Sequence, residues 1–172
     1  MTKRWNCVHN IPGGLFYHVS YDMATPYNIG GGMQDNYSWC GPSAVRGAVG
    51  IAGFNWATMQ GGDGFVAIQD PTDYRIAYSE SQDGNMVRID RVTGETISIR
   101  PQPNAGEPAL RWNWDTPLVM SPSDPKVLYA AANKVFRSAN RGLNWETQGS
   151  DLTSNANREE IVTMGVKGSD IR

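Results

Sequence analysis

This chain repeats itself, and an internal repeat restricts the possible folds more than any other feature of the sequence. Three segments read alike: HVSYDMATPYNIGGGMQDNYSW at 18–39, VAIQDPTDYRIAYSESQDGNMV at 66–87 and LVMSPSDPKVLYAAANKV at 118–135. Each holds an apolar strand, then an Asp or Ser with a nearby Pro, then a second apolar strand. Asp22 lies over Asp70 and Asp70 over Ser121, at offsets of 48 and 51. Gln34-Asp35-Asn36 matches Gln82-Asp83-Gly84, and Gly13-Gly14-Leu15 lies against Gly61-Gly62-Asp63. The second half of the unit repeats too: residues 86–97 lie over 134–145 without a gap, Gly94 on Gly142. Alternating apolar positions that close on a Gly-centred turn are the pattern of a hairpin.

Each unit therefore reads as four short strands, a to d. In the second unit they are expected at Phe65–Gln69, Arg75–Ser81, Asn85–Asp90 and Glu95–Arg100, and a further strand a is expected at Ile161–Val166. Four strands in about 40–50 residues, repeated, are the signature of a β-propeller. The expected fold is all-β: a partial propeller of about three four-stranded antiparallel blades at 11–60, 61–110 and 111–157. The start of a fourth follows at 158–172, and residues 1–10 form an N-terminal tail. Composition agrees, since 19 Gly and 10 Pro punctuate turns while six Trp and seven Tyr suit pleated, half-buried surfaces. The Pro-rich stretch 100–111 joins two units, and 45–57, with Gly47, Gly50 and Gly53, is expected to be irregular rather than helical.

Several classes of function are disfavoured. A formal net charge of −2 gives no electrostatic case for nucleic acid or an anionic membrane surface. No apolar run approaches the roughly 20 residues that span a bilayer, and Met1–Asn10 is not a signal peptide. There is no phosphate-binding loop, zinc-protease helix or nucleophile elbow, and no helix follows Gly30-Gly31-Gly32, so no cofactor is expected. Cys7, His9, His18 and Cys40 lack the paired spacing of a zinc site, and no metal is expected there. Both cysteines read as small buried residues; a Cys7–Cys40 bridge in an oxidising compartment is the alternative.

Strand reversal alone puts the b–c turns and the d-to-a connections at one end of such a repeat. That end would present Asp35, Asp63 and Asp83, the candidate catalytic carboxylates. Two carboxylates at suitable separation hydrolyse glycosides, one protonating the leaving oxygen and the other acting as nucleophile or activating water. Gln34, Asn36, Gln82, Arg111, Trp112, Trp114 and Asp115 are the candidate ligand contacts, the tryptophans as flat platforms for sugar rings. Each has a structural reading as well. Asp35 and Asp83 sit in turns where Asp commonly binds its own backbone. Trp112 and Trp114 alternate, so one faces the core and one the loop surface. His18, on an alternating strand, reads as core or channel lining.

At the opposite end, Ser138, Asn140, Gly142 and Trp145 resemble the Asp-box pattern Ser-x-Asp-x-Gly-x-Thr-Trp, with Asn140 in place of the Asp. Ser and Asn side chains bind free backbone groups of the c–d turn, Gly supplies a positive φ, and Trp clamps the turn onto neighbouring sheet. The second unit keeps only the Gly of this pattern. Together, GGMQDNYSWCGPS, GGDGFVAIQDPTDYRIAYSESQDGNMVRIDRVTGE and VFRSANRGLNWETQGSDLT resemble bacterial BNR/Asp-box repeat proteins with sortilin-like, glycosyl-hydrolase-like propellers. The resemblance implies an extracellular or periplasmic protein, longer than this chain. It implies a scaffold that binds protein, peptide or carbohydrate, or alternatively a glycoside hydrolase. A blade hides its faces against neighbours, so about 3.5 units would leave apolar flanks open. The expected partner is the rest of a longer propeller or a second copy, two copies totalling about seven blades.

Overall fold

The structure, a computed structural model, describes residues 13–170. Three four-stranded antiparallel sheets follow one another along the chain, each with its strands in sequence order. The first is β1 (Phe16–Tyr21), β2 (Asn28–Met33), β3 (Ser38–Pro42) and β4 (Ala57–Gln60). The second is β5 (Gly64–Gln69), β6 (Ile76–Ser81), β7 (Asn85–Asp90) and β8 (Thr96–Ser98). The third is β9 (Leu118–Met120), β10 (Leu128–Ala131), β11 (Val135–Ser138) and β12 (Glu146–Gln148). The chain is thus all-β, and among the described residues no helix is long and apolar enough to cross a membrane.

The sequence offsets reappear as geometry. The a–b loop closes with the same main-chain bond in each sheet: Asp22 N–H to Asn28 O, Asp70 N–H to Ile76 O, and Ser121 N–H to Val127 O. Pairing repeats as well, since Val19 opposes Gly31, Ala67 opposes Ser79 and Leu118 opposes Ala130.

The sheets stack face to face, and that explains their burial patterns. Strand β6 is almost continuously buried because the middle sheet is covered on both sides. One side, with Ala67, Ala77 and Ile89, meets Cys40 and Met59 of the first sheet. The other, with Tyr78 and Met86, meets Leu118, Leu128 and Ala130 of the third. By contrast β1 is largely exposed although its counterpart β5 is buried, because no described residue covers its outer side. The first junction is so close that Gly32 lies against the Gly64 backbone, and a Cβ at Gly32 would overlap it. This explains a glycine run in the middle of a strand.

Each junction also carries one ion pair of the same construction. Asp22 is buried and accepts the Ala24 and Asn28 amides at 3.1 and 2.7 Å. Arg91, from the c–d turn of the next sheet, reaches it at 3.2 Å. Asp70, fully buried, accepts the Thr72 and Asp73 amides, and Arg141 from the third sheet's c–d turn reaches it at 3.0 Å. The two arginine amides bond equivalent carbonyls, Arg75 O and Lys126 O, which fixes both turns in one orientation.

The c–d turn of the third sheet is built from the residues the sequence singles out. Ser138 Oγ accepts the Asn140 and Gly142 amides at 3.3 and 2.9 Å, and Asn140 Oδ1 accepts the Asn144 amide at 2.9 Å. Trp145 Nε1 donates to Ile99 O at 2.7 Å, tying this turn to the second sheet. Gly142 has φ +82°, and a Cβ there would lie 2.9 Å from Ile99. Gly142→Ala should therefore destabilise the chain by about 2 kcal/mol in denaturant unfolding, through αL strain and overlap together. The second sheet's turn keeps more than its Gly94, since Asp90, aligned with Ser138, accepts the Val92 and Thr93 amides at 2.8 and 3.0 Å.

Two further expectations resolve here. The stretch 45–57 is irregular, with a single 3₁₀ turn at Gly53–Asn55 inside the connection between β3 and β4. The strand expected at Ile161–Val166 is instead a two-stranded hairpin, β13 (Val162–Thr163) paired with β14 (Val166–Lys167). Met164 and Gly165 both have positive φ, as a two-residue hairpin turn requires, and the chain reverses in the middle of the expected strand.

Candidate functional site

The b–c turns and d-to-a connections form one loop surface because each turn locks onto the connection leading into the next sheet. Asp63, half-buried between Gly62 and Gly64, accepts the Asp35 amide on Oδ1 at 2.7 Å. At the next junction the Asp83 amide donates to Trp114 O at 3.2 Å, and Gly84 packs against the Trp112 ring. Asp35 and Asp83 have φ of 59° and 61°, so both are left-handed turn residues, and their amides rather than their carboxylates make the locking contacts.

The remaining candidates divide by what holds them. Asn36 donates its side-chain amide to Gln34 O at 3.0 Å, closing its own turn. Gln34 N–H bonds Leu15 O, and the Gln82 side chain lies against Gly62. Arg111 bonds Asp151 at 2.7 Å and Thr153 Oγ1 at 2.5 Å, while its amide donates to Asn133 Oδ1 at 3.0 Å. Trp112 packs against the core between Phe136, with ring centroids 6.4 Å apart, and the Arg100 guanidinium at 5.1 Å. Trp114 points the other way and is 54% exposed, with its edge on Phe65 at 6.4 Å. Phe65 in turn meets Tyr17 at 4.7 Å, so an aromatic row crosses the starts of the first two strands a and ends on an open indole.

Asp115 stands between two clefts. One, of about 430 Å³, lies between the 111–115 connection and the segment 153–161, with Asn113, Asn133 and Arg158 on its wall. The other, of about 400 Å³, runs along the strands a, where His18, Ser20, Ile68 and Leu118 line it. Both are within the size range of small-molecule and peptide side-chain sites. His18 thus lines a groove along β1, β5 and β9.

One charged residue was missed by the sequence reading. Glu80, near the end of β6, is fully buried and accepts on Oε1, at 3.3 Å, the amide of Thr116 from the connection into the third sheet. Its Oε2 has no hydrogen-bond partner among the described residues. Burial pushes its carboxyl up to about 9; the Thr116 and Gly84 amides oppose this and the charges of Asp115 and Asp83 add to it. It is a neutral acid at pH 7, closed off from the loop surface. A signal was present: by the repeat, Glu80 stands where the other units have Gly32 and Ala131.

Cys40 is buried, with Gln69 Nε2 3.5 Å from its Sγ, and burial pushes its thiol up. Cys7 and His9 lie outside the described residues, and so does the Cys7–Cys40 bridge. Among the described residues no cluster of three His, Cys, Asp or Glu side chains is placed to hold a metal ion.

No known family model matches this sequence, and no curated protein matches it either. Among solved structures, apo AztD from Citrobacter koseri aligns over 80% of this chain, at 12% identity and a TM-score of 0.46. The chain spans 35% of that structure's length, and at this level the likeness carries no argument about function.

Proposed function

We propose that this chain is a β-propeller segment of the Asp-box class, acting as a ligand-binding scaffold within a larger extracellular or periplasmic assembly. The repeated face-to-face stacking of four-stranded meanders supports the propeller reading. The Ser138–Trp145 turn, with its Ser and Asn anchors and its Trp tied to the neighbouring sheet, supports the Asp-box reading.

The binding reading rests on one observation: Asp115 lines both clefts, and its neighbour Trp114 leaves an open indole on the same loop surface. An aromatic plane next to a carboxylate suits a peptide side chain with an apolar body and a donor tip, or a sugar ring with its hydroxyls. Screening the chain against peptide and oligosaccharide arrays, with tryptophan fluorescence as confirmation, tests this. Trp114→Ala should weaken any bound ligand by about 10- to 100-fold with unfolding unchanged. Binding that survives both Trp114→Ala and Asp115→Asn would place the site elsewhere.

The alternative is a carbohydrate-active hydrolase, favoured by the gathering of Asp35, Asp63 and Asp83 on the same loop surface. Asp63 weighs against it, because its Oδ1 already holds the Asp35 amide. Turnover of aryl glycosides that is abolished by Asp63→Asn or Asp83→Asn would favour the hydrolase over the scaffold.

A further inference from the structure

The outer faces of the first and third sheets are the two halves of a junction that the chain already makes twice within itself. We propose that a second copy of this chain covers them, the third sheet of each copy packing on the first sheet of the other to give a closed two-fold dimer. The proposal rests on the propeller reading above and identifies what continues the stack.

Residue equivalence carries the argument. On the first sheet, Val19 and Ile29 face outward, away from the second sheet. Their counterparts at the internal junctions are Ala67 and Ala77, then Leu118 and Leu128, all buried against the preceding sheet. Tyr21 is the counterpart of Gln69, which is buried, and Met120, which packs on the core, yet it is 68% exposed.

The third sheet shows the complementary half. Tyr129 is the counterpart of Tyr78, the largest fully buried side chain, which sits in the core against Leu128 and Ala130. Tyr129 is 38% exposed. Beside it, opposite on β11, stands Arg137. Arg88, which stands opposite Tyr78 in the same way, crosses the internal junction to the carbonyl of Arg141 at 3.4 Å. Each open face thus has the residue types that mate inside the chain, and with a net charge of −2 two copies repel each other little. An interface between two different faces forms a closed ring or a filament, and two copies joined at both faces close.

The ion-pair latch is not reproduced. Ser121 occupies the place of Asp22 and Asp70, so no buried carboxylate awaits a guanidinium at this junction. The contact then carries no ion pair, and the dimer should dissociate on dilution and respond little to salt.

Light scattering after size exclusion at tens of micromolar tests the proposal, and the expected mass is that of two chains. Tyr21→Lys on one face and Tyr129→Lys on the other should each raise the dimer dissociation constant by about 100-fold or more, with circular dichroism unchanged. Mixing the two variants should restore a 1:1 dimer, because one junction between unaltered faces remains. A monomeric parent chain overturns the proposal, whether residues 1–12 or nothing covers the faces. A dimer that survives either substitution, a mixture that stays monomeric, or a mass above two chains overturns it equally. Neither variant touches Trp114 or Asp115, so ligand binding there stands or falls separately.

Discussion

Asp70→Ala should lower the unfolding free energy by about 3–5 kcal/mol, the range for removing one member of a buried, hydrogen-bonded ion pair. The carboxylate is fully buried and is held by the Thr72 amide at 2.8 Å, Thr72 Oγ1 at 2.7 Å, the Asp73 amide at 3.1 Å and Arg141 Nε at 3.0 Å. Its loss opens the a–b loop and unpins the third sheet's c–d turn together. Chemical denaturation of the variant checks the magnitude, and a change below about 1 kcal/mol would mean that water replaces the carboxylate freely. Arg141→Met separates the two contributions, because it removes the latch and leaves the loop bonds in place.

The same carboxylate sets the acid limit of stability. Burial raises the Asp70 pKa, but the Thr72 bonds and Arg141 outweigh it and hold the group below the usual carboxylate range. Asp22 is held down in the same way against burial, by Asn28, Ala24 and Arg91. A depressed folded-state pKa contributes stability that is complete above the unfolded value of 3.8 and is lost as pH falls through the folded value.

Glu80→Gln should stabilise the chain at pH 7 by about 3 kcal/mol, and the sign is opposite to that of the aspartates. The folded carboxyl titrates at about 9 against 4.5 when unfolded, so between those values the folded state binds the extra proton. Stability is complete below pH 4.5 and falls by about 1.4 kcal/mol per pH unit through that window, flattening above 9. Glutamine keeps the acceptor for the Thr116 amide and never has to take up a proton. Thermal melts from pH 4 to 9 check this. The parent should be most stable near pH 4–5, between the two limits, and the variant should lose the decline on the alkaline side. Equal slopes for the two proteins would mean that Glu80 is solvated in the folded state.

How far the sequence could be read depended on what each residue answers to. The strands of the second sheet fall within one or two residues of where alternation and turn chemistry put them, because both signals are local. The offsets of 48 and 51 survive as identical loop closures, because an a–b loop needs a short polar residue wherever it occurs. The c–d turn at Ser138–Trp145 was legible for the same reason. Residues 161–166 misled because Met164-Gly165 carries no alternation to disturb, and a two-residue reversal hides inside an apolar run.

What the sequence by itself determined is the repeat: four strands per unit, the positions of its turns, and which loops share an end of the sheets. Each of these depends on interactions spanning a few residues. What only the tertiary structure decided is what those residues meet across a junction. Asp63 is occupied by the amide of Asp35, 28 residues away, and Arg141 reaches Asp70 across 71. Trp112 packs into the core while Trp114 stays open, although the two are chemically alike, because Trp112 is enclosed between the second and third sheets while Trp114 meets Phe65 at the loop surface. Glu80 is a neutral acid because the segment leading into the third sheet buries it, with the charges of Asp115 and Asp83 adding to the effect. Burial and partnership come from sheets meeting face to face, and no local pattern in one strand records the strand that will cover it.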